Sequence, residues 1–428
     1  MSRVVVIGGG WGGCAAALSA KKAGADVVLL ERADTLLGSG QVGGIMRNNG
    51  RFTAAEEMIA LGCGDLFQLT DKNARHVNIE FPGHKHANLY DVALMEPSVR
   101  RYLQENQVEI WTVSRATQVH STGGRIEAVE LETGQRFEAD AFVETTGTMG
   151  PQGNCRKYGN GCAMCITRCP TFGGRVSIAG RAGIQEIMAK RADGSFGSMS
   201  GSCKLNKDSL DEGLHRELDQ KGVAVIPLPK EVAEHKKKLL TIKSCQQYAL
   251  AAFAENLVIL DTGHAKLMSP FYPLIDLRTI PGLENARFED PYSGGMGNSM
   301  RFLAMSPRDN HLKVDGLDNL FCGGEKAGML VGHTEAICTG TLAGHNAVRR
   351  AVGKQLVELP RSLCVGDMIA YVKDEMQTEE GMLKKFTFSG SVYFDRMNEL
   401  GLYTTDVEAI RARVAEAGLS DFFARKVD

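Results

Sequence analysis

Val4-Val5-Val6-Ile7-Gly8-Gly9-Gly10-Trp11-Gly12-Gly13 stands near the start of the chain, and Ala15-Ala16-Ala17-Leu18-Ser19-Ala20 follows it. A β-branched apolar run that breaks into glycines and then into alanines predicts strand, tight turn and helix. Gly8 permits the turn, Gly10 lets backbone approach a pyrophosphate with Gly12 beside it, and Gly13 lets helix pack on strand. A helix starting here turns unpaired N–H groups and its positive dipole end toward the phosphates. After Gly24, the run Asp26-Val27-Val28-Leu29-Leu30 reads as a second strand. It ends at Glu31, the acidic residue expected on a ribose hydroxyl, with Arg32 next to it. The full strand–helix–strand context predicts a bound dinucleotide.

The 428 residues suffice for two or three domains and a large core. A net charge of −2 recommends neither nucleic acid nor membrane as a partner of the whole surface. No signal-peptide pattern precedes the first strand and no apolar run is long enough to span a bilayer, so a cytoplasmic protein without a membrane partner is expected. Of eleven cysteines, Cys155, Cys162, Cys165 and Cys169 fall within fifteen residues, and such clustering suggests metal or redox chemistry.

Beyond Glu31, the glycine-rich stretch from Thr35 to Gly50 includes Gly43 and Gly44 and reads either as a loop under an isoalloxazine or as an ordinary surface loop. Arg51 to Leu61 reads as a helix. His76, His84 and His86 lack a visible metal-ligand set and are expected to be solvated loop residues. Glu96-Pro97-Ser98 is expected to open a helix, with proline in its first turn. Alternating strands over 108–113 and 125–131, a turn at Gly123-Gly124, and an apolar strand ending at Thr145-Thr146-Gly147 follow. In order after the first motif, that Thr-Gly is expected to return to the cofactor.

The cysteine cluster reads Cys155-x6-Cys162-x2-Cys165-x3-Cys169-Pro170, and its latter part matches the close of a bacterial ferredoxin motif. Iron–sulfur ligation is the leading expectation, ahead of a structural zinc and a Cys162/Cys165 redox pair. Further on, helices are expected over 182–191 and 210–220, and a short strand over 222–226. Lys236-Lys237-Lys238 with His235 and Lys243 makes a basic patch, read as a solvated helix face in preference to an RNA contact. The chain then comes back to the cofactor. Gly316 to Glu325 is a strand ending at Gly323-Gly324-Glu325, and Gly332-His333-Thr334 opens a small-residue helix whose N-terminus can point at a flavin. His333 there is a proton donor or a capping contact.

Ile280-Pro281-Gly282-Leu283-Glu284-Asn285-Ala286, followed by Leu320 to Asn346, resembles the GidA-type flavoproteins, which comprise the tRNA uridine-modifying MnmG and the folate-dependent TrmFO enzymes. Asn256-Leu257-Val258 and Glu186-Ile187-Met188-Ala189-Lys190-Arg191 resemble the TrmFO-like branch more closely. The resemblance is loose over residues 1–350 and specific over 256–346. It implies a two-domain α/β flavoprotein with FAD at the matching glycines. It also exposes two departures. TrmFO-like enzymes carry a cysteine where this chain has Ala182, and another in the loop where it has Gly43-Gly44. Without those thiols, folate-dependent uridine methylation is not expected, unless another cysteine such as Cys203 takes over.

Together these readings predict an α/β protein with a Rossmann-like FAD-binding domain and a three-stranded meander (1–154 and 280–355). A smaller α/β domain with the cysteine cluster is inserted at 155–279, and a helical region at 356–428 packs as a cap or dimer element. The expected function is an FAD-dependent oxidoreductase that couples flavin to a [4Fe-4S] cluster on Cys155, Cys162, Cys165 and Cys169, with a small-molecule or protein redox partner. The alternatives are a flavin-dependent RNA uridine-modifying enzyme and a non-catalytic flavin- and metal-stabilised binding protein. His333 and Cys203 are the catalytic candidates.

Overall fold

A computed structural model describes residues 2–148, 168–191, 193–200, 202–240, 246–269, 272–289 and 299–427. The opening motif folds as its residues predict: β1 (Arg3–Ile7), α1 (Trp11–Lys22) and β2 (Asp26–Leu30). They build a five-stranded parallel sheet whose order is Leu320–Cys322, Ala141–Glu144, β1, β2, Glu109–Trp111. Every pairing in it is parallel. Val4, Val5 and Val6 are fully buried, as are Val27, Val28 and Leu29, because helices and a second sheet cover both faces.

On one face, α1 packs against the long helix His333–Ala351. A β-carbon on Gly340 or Gly344 would overlap the carbonyl oxygen of Gly12 or Ala16, so the two helices touch backbone to backbone. The antiparallel meander Ala116–Thr122, Arg125–Leu131, Arg136–Glu138 lies on the other side, where Phe137 meets Trp111 edge to face.

Between β2 and the meander, the chain forms α2 (Gly50–Ala60) and a second three-stranded sheet of Ile45–Arg47, His84–Tyr90 and Ala74–Phe81. Two expectations are corrected here. His84 is buried, bonded to Asn48 and to the Gln247 carbonyl, because it lies on the covered face of this sheet rather than in a loop. The helix expected to open at Glu96 runs over Val92–Glu105, since the Asp91 side chain caps it at the Ala93 N–H, and Pro97 falls inside it.

A four-stranded antiparallel sheet, ordered Cys203–Leu205, Ala265–Leu267, Asn256–Asp261, Val223–Pro227, carries helix Glu212–Lys221 and a core of its own. Packing divides the chain differently from the expected 155–279 insertion. Ile178, Ala179 and Ala189 belong to the first core, whereas Ile280, Leu283 and Ala286 belong to the second. Nor is 182–191 a helix: a short turn of helix at Ile178–Arg181 precedes strand Ile187–Met188, which pairs with Ala304–Met305. The C-terminal region is helical (Cys364–Glu375, Ser391–Glu399, Val407–Glu416) and packs on α2 and the main core. No helix among the described residues is long and apolar enough to cross a membrane.

Candidate functional site

Parallel α/β sheets present their ligand cleft beyond the carboxyl ends of the strands. Here β1, β2 and Ala141–Glu144 end in such a cleft, closed on its far side by residues of the second sheet region. Its empty space, open mouth included, is about 1640 Å³.

Of the residues singled out in the sequence, Gly8, Gly10, Gly12, Glu31, Arg32, Gly43, Thr146, Gly147, Gly324, Glu325, Gly332 and His333 line the cleft. The remaining three do other work. A β-carbon on Gly13 would overlap the Gly8 carbonyl oxygen, so Gly13 serves helix-to-strand contact. Gly44, with φ at +96°, lies against the Thr262 side chain, and the Thr334 hydroxyl donates to the Met46 carbonyl at 2.8 Å. Cys203 is buried in the second core and Ala182 ends the helix at Ile178–Arg181, so neither is a cleft residue.

Backbone geometry sets up the phosphate end. Gly8 takes a φ of +103°, where a β-carbon would meet the Thr145 carbonyl oxygen at 2.5 Å. A β-carbon on Gly10 would meet no atom within 4 Å, because the space beside it is the cleft. Glu31 accepts the Gly9 N–H at 2.7 Å and the Ala33 N–H at 2.8 Å. Burial outweighs those bonds and raises its carboxyl above the ordinary range. These residues could hold the ribose and pyrophosphate of a dinucleotide such as FAD.

At the other end, His333 begins the long helix and contacts Tyr90, its Nδ1 lying 3.4 Å from the hydroxyl. Burial first, then Arg51, Lys266 and Arg301, pushes its pKa well below the usual imidazole value. Arg51 is paired with Glu335 at 3.1 Å, and Arg301 with Glu325 at 2.9 Å. Beneath the cleft floor the buried Lys326 ammonium meets Glu186 and Glu144. Burial works to raise the Glu186 carboxyl, but Lys326 and Arg175 prevail and hold it at about 2. The sequence reading missed Arg51, Arg115, Arg175, Gln247, Tyr248, Lys266 and Arg301, all of which line the cleft. No local motif marks them, since they reach it from segments scattered from residue 51 to residue 301.

Cys155, Cys162 and Cys165 lie outside the described residues. Among the described residues no group of three or more His, Cys, Asp or Glu side chains is arranged to hold a metal. Cys169 begins the four-residue helix Cys169–Phe172. Of the two described residues flanking this segment, one stands at the cleft. Thr148 lines it, and Arg168 pairs with Asp34, while Arg32 and Arg115 donate to the carbonyls of Gly173 and Gly174.

Comparison with known proteins bears on this geometry. Over 95 residues the chain is 35% identical to the methylenetetrahydrofolate–tRNA-(uracil-5-)-methyltransferase TrmFO of Caldicellulosiruptor bescii, a match covering 22% of this chain and 21% of that protein. The Enterococcus faecalis TrmFO matches at 35% over 98 residues, again 22% and 21%. The matched stretch thus spans about a fifth of these relatives' length. Among solved structures, Aquifex aeolicus GidA superimposes with a TM-score of 0.68 at 19% identity, covering 99% of this chain and 73% of that one. A second crystal form gives 0.63 at 18%, covering 99% and 78%. The family model described as glucose inhibited division protein A matches residues 3–252 and 274–355: the chain belongs to the GidA family.

Proposed function

We propose that this protein is an FAD-dependent enzyme that modifies uridine in tRNA. Family membership carries the reading, supported by the name of the TrmFO relatives and by the cleft's fit to a dinucleotide. The open space beside Gly10 is where a pyrophosphate would lie, against the N-terminus of α1, and Glu31 would take the adenosine ribose. Bound there, FAD would supply hydride and electron transfer. The chain's own residues exclude water from the far end with Trp11, Tyr90 and Tyr248. They also set a field of cations, Arg51, Lys266 and Arg301, about a neutral His333.

The route by which uridine is modified differs from that named for the relatives. Cys14, Cys63, Cys203, Cys322, Cys338 and Cys364 are buried, Cys169 is half-buried, and none of these seven lines the cleft, so no described thiol is set to attack a base there. The test incubates the FAD-loaded protein with tRNA lacking uridine modifications, with and without methylenetetrahydrofolate, and measures nucleoside masses. A mass change at uridine that requires FAD is expected, without folate-dependent methyl incorporation. Unaltered tRNA in every condition would overturn the reading.

The cysteine segment supports a second reading, in which the cleft's flavin exchanges electrons with a thiolate-bound cluster. The observation favouring it is that Thr148, before the segment, lines the cleft, and that the cleft residue Arg32 donates to the carbonyl of Gly173, just after it. Anaerobic protein would then contain about four irons per chain, as one cubane requires. Cys162→Ser, Cys165→Ser and Cys169→Ser would each lose iron and keep FAD. Zinc in place of iron, or no metal, would dispose of it.

A further inference from the structure

Gly43 leaves a space that a histidine fills. A β-carbon on Gly43 would overlap Cε1 of His333 and lie 2.6 Å from the Tyr90 hydroxyl. The imidazole therefore rests directly over the Gly43 backbone, with the Trp11 ring 6.0 Å away on another side. Its orientation follows from counting protons. The Tyr90 hydroxyl lies 3.3 Å from the Gly40 carbonyl oxygen and 3.4 Å from His333 Nδ1. A carbonyl only accepts, and a phenol has one proton to give. Both contacts are hydrogen bonds in one arrangement only: Tyr90 donates to Gly40, and its oxygen accepts from Nδ1–H of His333. Nε2 is then the unprotonated nitrogen. It has no hydrogen-bond partner among the described residues, and His333 lines the cleft.

The surroundings keep that lone pair available. Arg51 from α2, Lys266 from strand Ala265–Leu267 and Arg301 from strand Ser299–Arg301 all bear on the ring. On its own helix, Glu335 is taken up by Arg51 and by the Phe388 N–H. With burial and three cations opposing a positive charge, the imidazole is neutral at pH 7.

We propose that His333 Nε2 is a fixed hydrogen-bond acceptor for a protic group of the bound flavin, an imide N–H or a ribityl O–H, and that Tyr90 is the positioning residue that fixes its tautomer. This rests on the FAD reading above and is indifferent to the RNA chemistry. Neutral imidazoles in water favour the other tautomer, with the proton on Nε2, so the placement by Tyr90 has a spectroscopic signature.

The test is ¹⁵N NMR of histidine-labelled protein, with His333→Gln supplying the assignment, together with FAD titration into flavin-free protein. His333 is expected to hold its proton on Nδ1 and to stay neutral down to pH 6. Tyr90→Phe, which keeps the ring packing, is expected to shift the proton to Nε2. His333→Phe is expected to weaken FAD binding roughly tenfold, the worth of one hydrogen bond, whereas His333→Gln, which keeps an acceptor, loses less. A wild-type Nε2–H, a tautomer unmoved by Tyr90→Phe, or equal FAD affinity in all three proteins would overturn the proposal. Absence of FAD binding by wild type would overturn the cofactor reading itself, while the tautomer spectrum still reports on Tyr90.

Discussion

The β-carbon that Gly13 lacks would overlap the carbonyl oxygen of Gly8, which ties α1 to the end of β1. Three residues earlier, at the N-cap of α1, a β-carbon on Gly10 would meet nothing within 4 Å, and its φ of −68° suits any residue. One glycine is thus required by the fold and the other by the ligand. Gly10→Val is expected to fold with an unchanged melting temperature when free of flavin and to retain no FAD. Gly13→Ala is expected to lose about 1–3 kcal/mol of stability, the usual cost of overpacking. Absorbance at flavin wavelengths and thermal melts of both variants decide the matter, and stoichiometric FAD in folded Gly10→Val would refute the assignment.

What could be read in the sequence follows the range of the forces involved. The β1–α1–β2 unit was legible because its determinants, β-branched residues, glycines and alanines, act within thirty residues. The same holds for Thr146-Gly147 and Gly323-Gly324, each at the end of an apolar strand. The strand Ile187–Met188 was not legible, because residues over 182–191 have helical preference and only pairing with Ala304–Met305 overrides it. His84 reads as polar, yet Asn48 and the Gln247 carbonyl satisfy both ring nitrogens and permit burial. The charged half of the cleft stayed hidden for the same reason: Arg51 finds Glu335 across 284 positions of chain.

The close approach of α1 and the long helix gives a second prediction. Within an exposed helix, Gly→Ala stabilises by about 1 kcal/mol. At Gly340 and Gly344 the sign reverses, since the added carbon would overlap backbone oxygen of Gly12 or Ala16. Each alanine variant is expected to lower stability by about 1–3 kcal/mol. Gly340→Ala is also expected to weaken FAD binding, because Gly12 lines the cleft and Ala16 does not. Melting curves and flavin titrations separate the two effects, and equal FAD affinity in both variants would contradict the placement of Gly12.

His345 makes a pH-dependent contribution. It is buried on the long helix, 5.1 Å from the rings of both Phe422 and Phe423. Burial first, and Arg349 second, lowers its pKa from 6.5 to about 4. The unfolded chain therefore binds the proton more readily than the native one. The stability tied to a neutral His345 is complete above pH 6.5 and is lost progressively as pH falls toward 4, amounting to about 3 kcal/mol. His345→Leu cannot be protonated, so the gap between variant and wild type should close or invert over that window. Denaturant melts at pH 7 and pH 4.5 measure it, and a gap independent of pH would show that His345 does not titrate on unfolding.

Glu57 fastens the C-terminal helices to the body of the protein. Its carboxylate, buried on α2, accepts the N–H groups of Cys364 and Val365 at 2.9 and 3.1 Å and contacts the Cys364 thiol at 3.1 Å. Arg413, on helix Val407–Glu416, stands 3.6 Å away and supplies the opposing charge. No cap from its own N-cap side chain serves helix Cys364–Glu375, so Glu57 takes that role across 307 positions of chain. Replacing it with alanine leaves two buried N–H groups unsatisfied, each costing about 1–3 kcal/mol. Glu57→Ala is therefore expected to speed hydrogen exchange of the amides in 364–375 and 407–416 by at least tenfold. Those in Ala141–Glu144, across the core, should exchange as before. Glu57→Gln keeps an acceptor oxygen and should fall between the two. Uniform acceleration across the whole chain would mean that the C-terminal helices unfold only with the parallel sheet, and that Glu57 holds no separate joint.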